Sequence, residues 1–257
     1  MTFDFYKYQG TGNDFIILDD REEIFDVNNC ELIMSLCERR TGIGADGLIL
    51  LRNHKKYDFE MIYFNSDGKI STMCGNGGRC IAAFASLLNI VEESMTFLAI
   101  DGPHEAKILD KNISLKMSNV KHLESINDDF LLDTGSPHYI KLVHNINTID
   151  VYKEGGIIRN LKRFKKEGVN VNFVNIEKNI QLRTYERGVE AETLSCGTGV
   201  VATAISLYSA KYITDSSVDI YTQGGVLNVS FDYIDLVYQN IWLTGQASLV
   251  YTGEFIC

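Results

Sequence analysis

The chain has 257 residues, 45% of them hydrophobic and 23% charged, with a formal net charge of −10. This composition excludes disorder, collagen and coiled coil, and the length is enough for one large or two moderate cores. With no run of ~20 apolar residues for a membrane helix, no charged-then-apolar start for a signal peptide and no basic face for nucleic acid, the expectation is a cytoplasmic protein acting on a small molecule, with no membrane or nucleic-acid partner.

In chain order, helical periodicity first shows at 28–40, followed by strand-like runs at 47–51 and 59–64 and a helical pattern at 78–89. A strand at 113–117 follows the turn signal Asp110-Lys-Asn112. Runs at 169–176 and 180–185, a helix at 200–211, and strands at 218–222 and 226–231 around Gly224-Gly225 complete the series. The second helix carries Ile81, Phe84, Ala85 and Leu88 on one face, and the third Val201, Ala204, Ile205 and Tyr208. Helices with so few charges are expected inside a lobe, wrapped by sheet.

A shift of 122 positions lays Met73-Cys74-Gly-Asn-Gly77 on Ser195-Cys196-Gly-Thr-Gly199, Ala82 on Ala204, Tyr63 on Tyr185 and Asn65 on Arg187. Upstream, Thr11-Gly-Asn-Asp-Phe-Ile16 matches Thr134-Gly-Ser-Pro-His-Tyr-Ile140 once a residue or two is inserted. The ordered recurrence points to an internal duplication. The expected fold is therefore α/β of the α+β kind: two pseudosymmetric lobes, each a mostly antiparallel curled sheet or barrel around a central apolar helix, with the active site in the cleft between them. The N-terminal lobe is placed at 1–117, with 247–257 packing back on it, and the C-terminal lobe at 118–246.

The six cysteines, at 30, 37, 74, 80, 196 and 257, lack the paired spacings of zinc ligands, so no metal is expected. Cys30, Cys37, Cys80 and Cys257 read as small buried hydrophobes. Cys74 and Cys196 differ, because each precedes a glycine-rich turn into a helix, where unpaired N–H groups and the positive end of the helix dipole stabilise a thiolate. Close approach at the glycines would let the N–H groups of Gly75, Asn76, Gly197 and Thr198 cradle a carboxylate. Two thiols facing one carboxylate-bearing carbon suit a reaction that removes a proton from one side and supplies it from the other, which is racemisation or epimerisation.

Several runs then resemble one known family from end to end: Lys7-Tyr-Gln-Gly-Thr-Gly-Asn-Asp-Phe15, Arg40-Thr-Gly-Ile-Gly-Ala-Asp46, Phe64-Asn-Ser-Asp-Gly68, Cys74-Gly-Asn-Gly77, Ser136-Pro-His138, Gly168-Val-Asn170, Tyr185-Glu-Arg187, Glu192-Thr-Leu-Ser-Cys-Gly-Thr-Gly199 and Thr244-Gly245. They resemble the diaminopimelate epimerases. The resemblance implies interconversion of LL- and meso-2,6-diaminopimelate without a cofactor, on the route to lysine and peptidoglycan. It implies that Cys74 and Cys196 are the acid/base pair, that His138 and Glu186 assist them, and that Asn13, Asn65, Asn170, Glu186 and Arg187 bind substrate together with Gly75, Asn76, Gly197 and Thr198. Two positions depart from the pattern: Gly47 stands where many members have Gln, and Ser136 where they have Asn. The first removes a side-chain contact and the second shortens one.

Two rival readings remain at this level. One is a two-thiol racemase for another amino acid, as in the related proline and hydroxyproline enzymes. The other is a thiol protein cycling a Cys74–Cys196 disulfide or binding a metal. The literal GxGxxG of Gly42-Ile-Gly-Ala-Asp-Gly47 leads into an apolar run and does not join a strand to a helix, so no dinucleotide site is expected. Arg79, at the start of an apolar helix, has no role that the sequence assigns. A homodimer is compatible with all of these readings.

Overall fold

The structure is a computed structural model that describes residues 2–256; Cys257, read above as a structural cysteine, lies outside the described residues. The chain forms two compact units, one running up to Leu115 and completed by the segment from Gly245 onward, the other Lys116–Thr244.

In the first unit, strands β1 (Thr2–Gly10) and β2 (Asn13–Asp19) form a hairpin whose turn residues Thr11 and Gly12 have φ of 50° and 85°. β2 lies parallel to β3 (Gly47–Arg52), which runs antiparallel to β4 (Phe59–Asn65). β4 pairs antiparallel with the short β5 (Ile70–Ser71) and parallel with β6 (Ser94–Ala99), and β6, β7 (Gly102–Leu109) and β8 (Asn112–Met117) continue as antiparallel hairpins. The last strand, β18 (Ser248–Ile256), lies antiparallel along β1.

The second unit repeats this pairing strand for strand. β10 (Asp129–Asp133), β11 (Pro137–Leu142), β12 (Asn170–Asn175), β13 (Ile180–Glu186), β14 (Ala191–Thr193), β15 (Ser217–Thr222), β16 (Gly225–Ile234) and β17 (Val237–Gln246) take the places of β1 to β8. β9 (Leu123–Ile126) flanks β10 as β18 flanks β1. Most pairs are antiparallel, and the parallel ones recur at equivalent places.

Each unit encloses one 13-residue apolar helix, α2 (Gly75–Leu87) or α4 (Gly197–Ser209). α2 packs on β1, β2, β3 and also β7; α4 packs on β10, β11, β12, β15 and β16. A helix touched by both early and late strands of its sheet is one that the sheet curls around, as its apolar circumference demands. A shorter helix covers the other face of each sheet: α1 (Cys30–Cys37) seats Ile33 and Leu36 among Leu48, Leu50 and Phe64, and α3 (Val151–Arg159) seats Val151 among Val171, Phe173 and Tyr185.

The helices are offset by 122 residues, as the sequence repeat has it, but the strands are not. Phe15 stands beside Gly47, which faces Asn65; in the second unit His138 stands beside Asn170, and the β12–β13 register puts Asn170 opposite Glu186. Gly77 of α2 lies over Phe15 and Ile49, whereas Gly199 of α4 lies over His138 and Asn172. Asn65 therefore occupies the place of Glu186, not of Arg187, and Tyr63 that of Thr184, not of Tyr185. One-residue differences in the loops shift strands against helices.

Other readings are corrected as well. The glycines expected to form a turn before each helix are its first helical turn, with Cys74 and Cys196 as the N-caps. Glycine is costly in a helix interior but tolerable where no N–H is yet needed by the ladder. α1 is shorter than its periodic pattern, bounded by Asn29, whose side chain accepts from Leu32 N–H, and by the extended backbone of Glu38 (ψ 123°). Cys30, at its first position, is exposed and not a buried hydrophobe. α3 escaped notice because Gly155-Gly156 interrupts its pattern, yet Asp150 caps it and the gap has a steric reason. A Cβ at Gly155 would lie 2.4 Å from Tyr185 Cβ. Gly155→Ala should therefore lower unfolding stability by ~1–3 kcal/mol through overpacking, measured by urea denaturation, whereas Gly156→Ala, with only Tyr185 Oη within reach at 3.8 Å, should not.

Candidate active site

The first unit places Cys74 in extended backbone (φ −92°, ψ 133°) at the head of α2, with Gly78 N–H donating to its carbonyl at 2.7 Å. The N–H groups of Gly75, Asn76 and Gly77 have no acceptor within the helix. Cys74 Sγ lies 3.6 Å from Asn13 Oδ1, which also accepts from Asn76 Nδ2 at 3.3 Å, while Asn13 Nδ2 donates to Asp46 Oδ2 at 2.5 Å. Arg39 bridges Asp46 and Asp14, each at 2.7 Å, and Lys7 adds a 2.7 Å ion pair to Asp14. Burial disfavours the Asp14 carboxylate, yet Arg39 and Lys7 hold its pKa down to about 2. Four of the expected residues, Asn13, Cys74, Gly75 and Asn76, thus form one cluster. Asn65 lies exposed at the end of β4, opposite Gly47. At Gly47 a Cβ would stand 2.4 Å from Phe64 O, so a larger side chain there has no room with this backbone.

The second unit builds a different support. Cys196 caps α4, with Val200 N–H donating to its carbonyl at 2.9 Å, and its Sγ lies 3.4 Å from Thr198 Oγ1. Thr198 Oγ1 is in turn 2.9 Å from His138 Nε2. The proton on that histidine can be located. Asn172 accepts from Thr184 Oγ1 at 2.9 Å through its oxygen, so its Nδ2 is the atom 3.0 Å from His138 Nδ1 and 3.2 Å from Tyr139 O. Nδ1 accepts, Nε2 carries the hydrogen and donates to Thr198, and the Thr198 hydroxyl hydrogen is left for Cys196. The imidazole is fully buried and its pKa is depressed to about 3, first by burial and then by the Arg187 charge.

Asn170 Nδ2 donates to Ser136 Oγ at 2.9 Å and to Pro137 O at 3.2 Å, and Asn170 Oδ1 accepts Arg187 N–H at 2.8 Å. Arg187 reaches Ser136 Oγ at 3.1 Å and Glu167 O at 3.0 Å through its guanidinium. Ser136, the departure from the family pattern, is thus where Asn170 and Arg187 meet. Glu186 accepts from Thr193 Oγ1 at 2.9 Å. Glu192 proves structural, clamped by Arg183 at 2.6 and 2.7 Å while Arg183 also holds Ile146 O and Ile149 O. The structure therefore brings His138, Asn170, Arg187, Cys196 and Thr198 together, and it adds Asn172 and Thr184, which the sequence reading missed. A signal for Asn172 was available: it falls with Asn170 on one face of a strand whose Val and Phe residues mark it as buried, where an amide must find partners.

The family profile described as diaminopimelate epimerase matches residues 5–123 and 130–250. The chain belongs to the diaminopimelate epimerase family. It is 51% identical over 250 residues to the diaminopimelate epimerase of Flavobacterium psychrophilum, covering 96% of this chain and 97% of the relative, and 41% identical over 256 residues to that of Chlorobaculum tepidum, covering 95% and 98%. In fold it is similar to a PhzF-family phenazine biosynthesis protein from Bacillus anthracis (TM-score 0.77, 13% identity, all of both chains). It is also similar to a hydroxyproline epimerase from Agrobacterium vitis solved with trans-4-hydroxy-L-proline (TM-score 0.66, 13% identity, 98% and 92%). Membership in an isomerase family sets aside the redox and metal-module readings. No helix among the described residues is long and apolar enough to cross a membrane.

The buried neutral His138 has a consequence for stability. Its folded pKa lies below the unfolded reference of ~6.5, so between the two the unfolded chain binds the extra proton and stability falls as pH falls. Unfolding midpoints measured from pH 7 down to pH 4 should drop less steeply for His138→Gln than for the unaltered protein.

Proposed function

We propose that this protein interconverts the stereoisomers of 2,6-diaminopimelate by two-base proton transfer, with Cys74 and Cys196 acting on the α-carbon from opposite faces. The observation that carries the reading is the recurrence of a cysteine N-cap on a buried apolar helix of the same length in both units. Family membership supports it.

In the forward direction a thiolate takes the α-proton, the C–H electron pair is left on the carbon and its carboxylate, and the opposite thiol delivers a proton to the other face. The cysteines end with their protonation states exchanged, and the reverse reaction restores them. The α-carbon is a weak acid, and first-turn N–H donors from Gly75, Asn76, Gly197 and Thr198, directed at the substrate carboxylate, would stabilise the charge that develops there. His138 serves Cys196 through the Thr198 hydroxyl: a neutral ring that donates to Thr198 leaves that hydroxyl free to stabilise the thiolate or to accept from the thiol. Glu186 is assigned to the same unit's proton chemistry. Arg187, which has no carboxylate partner among the described residues, suits the carboxylate at the unreacting end of the substrate, with Asn13, Asn65 and Asn170 shaping the rest of the site. A second acidic end favours diaminopimelate over a cyclic amino acid.

In D2O the purified protein should exchange the α-hydrogen of diaminopimelate, followed by mass spectrometry, without added cofactor. Cys74→Ala and Cys196→Ala should each reduce epimerisation by ~10²–10⁴-fold, the usual contribution of a positioned acid or base. Full turnover in either variant would overturn the two-base assignment. Arg187→Gln should impair diaminopimelate turnover mainly through KM; if proline or hydroxyproline is turned over as well as diaminopimelate, the substrate assignment fails.

A further inference from the structure

Arg79 is the largest fully buried side chain, on α2 one turn below Cys74. Its Nη1 donates to Gly75 O at 3.2 Å, and its Nη2 to Thr11 Oγ1 at 3.0 Å and to Asn76 Oδ1 at 2.8 Å. Nε has no partner among the described residues, and every acceptor it does have is neutral. An enclosed guanidinium without a carboxylate is costly. Burial pulls its pKa down, but arginine keeps its proton in proteins. A positive charge is therefore fixed beneath the head of α2, awaiting an anion.

Two thiols are candidates. Cys80 is completely enclosed, and burial pushes its pKa up to about 12, so it remains a thiol. Cys74 is partly exposed, caps the helix, and adjoins the residue whose carbonyl Arg79 grips. Of the carboxylates around it, Asp14 and Asp46 are matched by Arg39 and Lys7, and Asp101 accepts Met73 N–H at 3.0 Å. Asn13 Oδ1 keeps its bond from Asn76 when Cys74 gives up its proton.

The second unit carries no charge at the equivalent helix position. Val201 occupies the helix position of Arg79, and beneath Cys196 lies the neutral chain of Thr198, His138 and Asn172. Arg187, the cation that acts on His138, is partly exposed and tied to Ser136 and Glu167 O. Cys196 is also the more buried of the two cysteines, and burial favours the neutral thiol.

We propose that Arg79 is a positioning residue that holds Cys74 as the thiolate in the resting enzyme, while Cys196 rests as the thiol. This rests on the two-thiol reading in that it assigns the starting state of that pair, and it adds that the isomer whose α-hydrogen faces Cys74 reacts with the resting form directly.

The test is the pH dependence of iodoacetamide alkylation of the full chain without substrate, resolved by peptide mass spectrometry. Cys74 should be alkylated with a midpoint at lower pH than Cys196. In Arg79→Gln, Cys74 alkylation at pH 7 should slow by about tenfold or more with its midpoint moved upward, the Cys196 curve should stay in place, and Arg79→Lys should recover part of the rate. An unmoved Cys74 curve in Arg79→Gln, shown to be folded by circular dichroism, would overturn the proposal, as would a lower midpoint for Cys196 in the unaltered protein. Should Arg79→Gln not fold, the order of the two midpoints in the unaltered protein decides alone. Because no substrate is present, loss of this order leaves the deuterium-exchange result standing, and failed exchange leaves the alkylation order standing.

Discussion

A helix enclosed by its own sheet meets the outside only at its ends, and this constraint organises both units. In α4 every residue from Val200 to Leu207 is buried, and in α2 all but one from Asn76 to Ala85. No side chain along either helix can serve a ligand. What remains is the first turn, with backbone donors that have no acceptor inside the helix, and the capping residue in front of them. Glycines at 75, 77, 197 and 199 leave that turn a single side chain, Asn76 or Thr198, beside the capping cysteine. A cysteine there gains an electrostatic environment to which the backbone donors of the first turn contribute in both units.

Within that common frame the units have diverged in what lies under the cap. The first has Phe15 and Ile49 against Gly77 and a lone guanidinium; the second has His138 and Asn172 against Gly199, joined to Thr184 and Thr198. One corresponding contact persists in both: Thr11 bonds the Asn76 side chain and Thr134 the Thr198 carbonyl, tying the first hairpin of each unit to the helix head. The repeat thus preserves how the cap is held and changes how it is charged.

Much of this was legible in the sequence. The apolar circumference of two helices, the cysteine-glycine heads and the 122-residue offset led to a doubled, sheet-wrapped fold with a cysteine at the head of each enclosed helix. The strand offsets were not legible, because pairing Tyr63 with Tyr185 rests on identity, whereas register is set by loop lengths that identity does not reveal. α3 was hidden because its glycines answer a steric demand of Tyr185, a residue thirty positions away. His138 was named but its route to Cys196 was not, since the intervening hydroxyl belongs to a residue read only for its backbone. Arg79 stood out in the sequence as a charge in an apolar helix, but its lack of a carboxylate partner is a property of the folded surroundings alone.

The pairing of β18 with β1 bears on how the molecule is made. Thr2–Gly10 precedes the whole of the second unit and Ser248–Ile256 follows it, yet the two lie side by side, with Phe3 stacked on Phe255 at 5.3 Å between ring centroids. During translation Lys116–Thr244 is continuous and can close as soon as it leaves the ribosome, while the earlier-made half waits with one strand edge unpaired through the synthesis of its entire successor. The half that emerges first is the last to be finished.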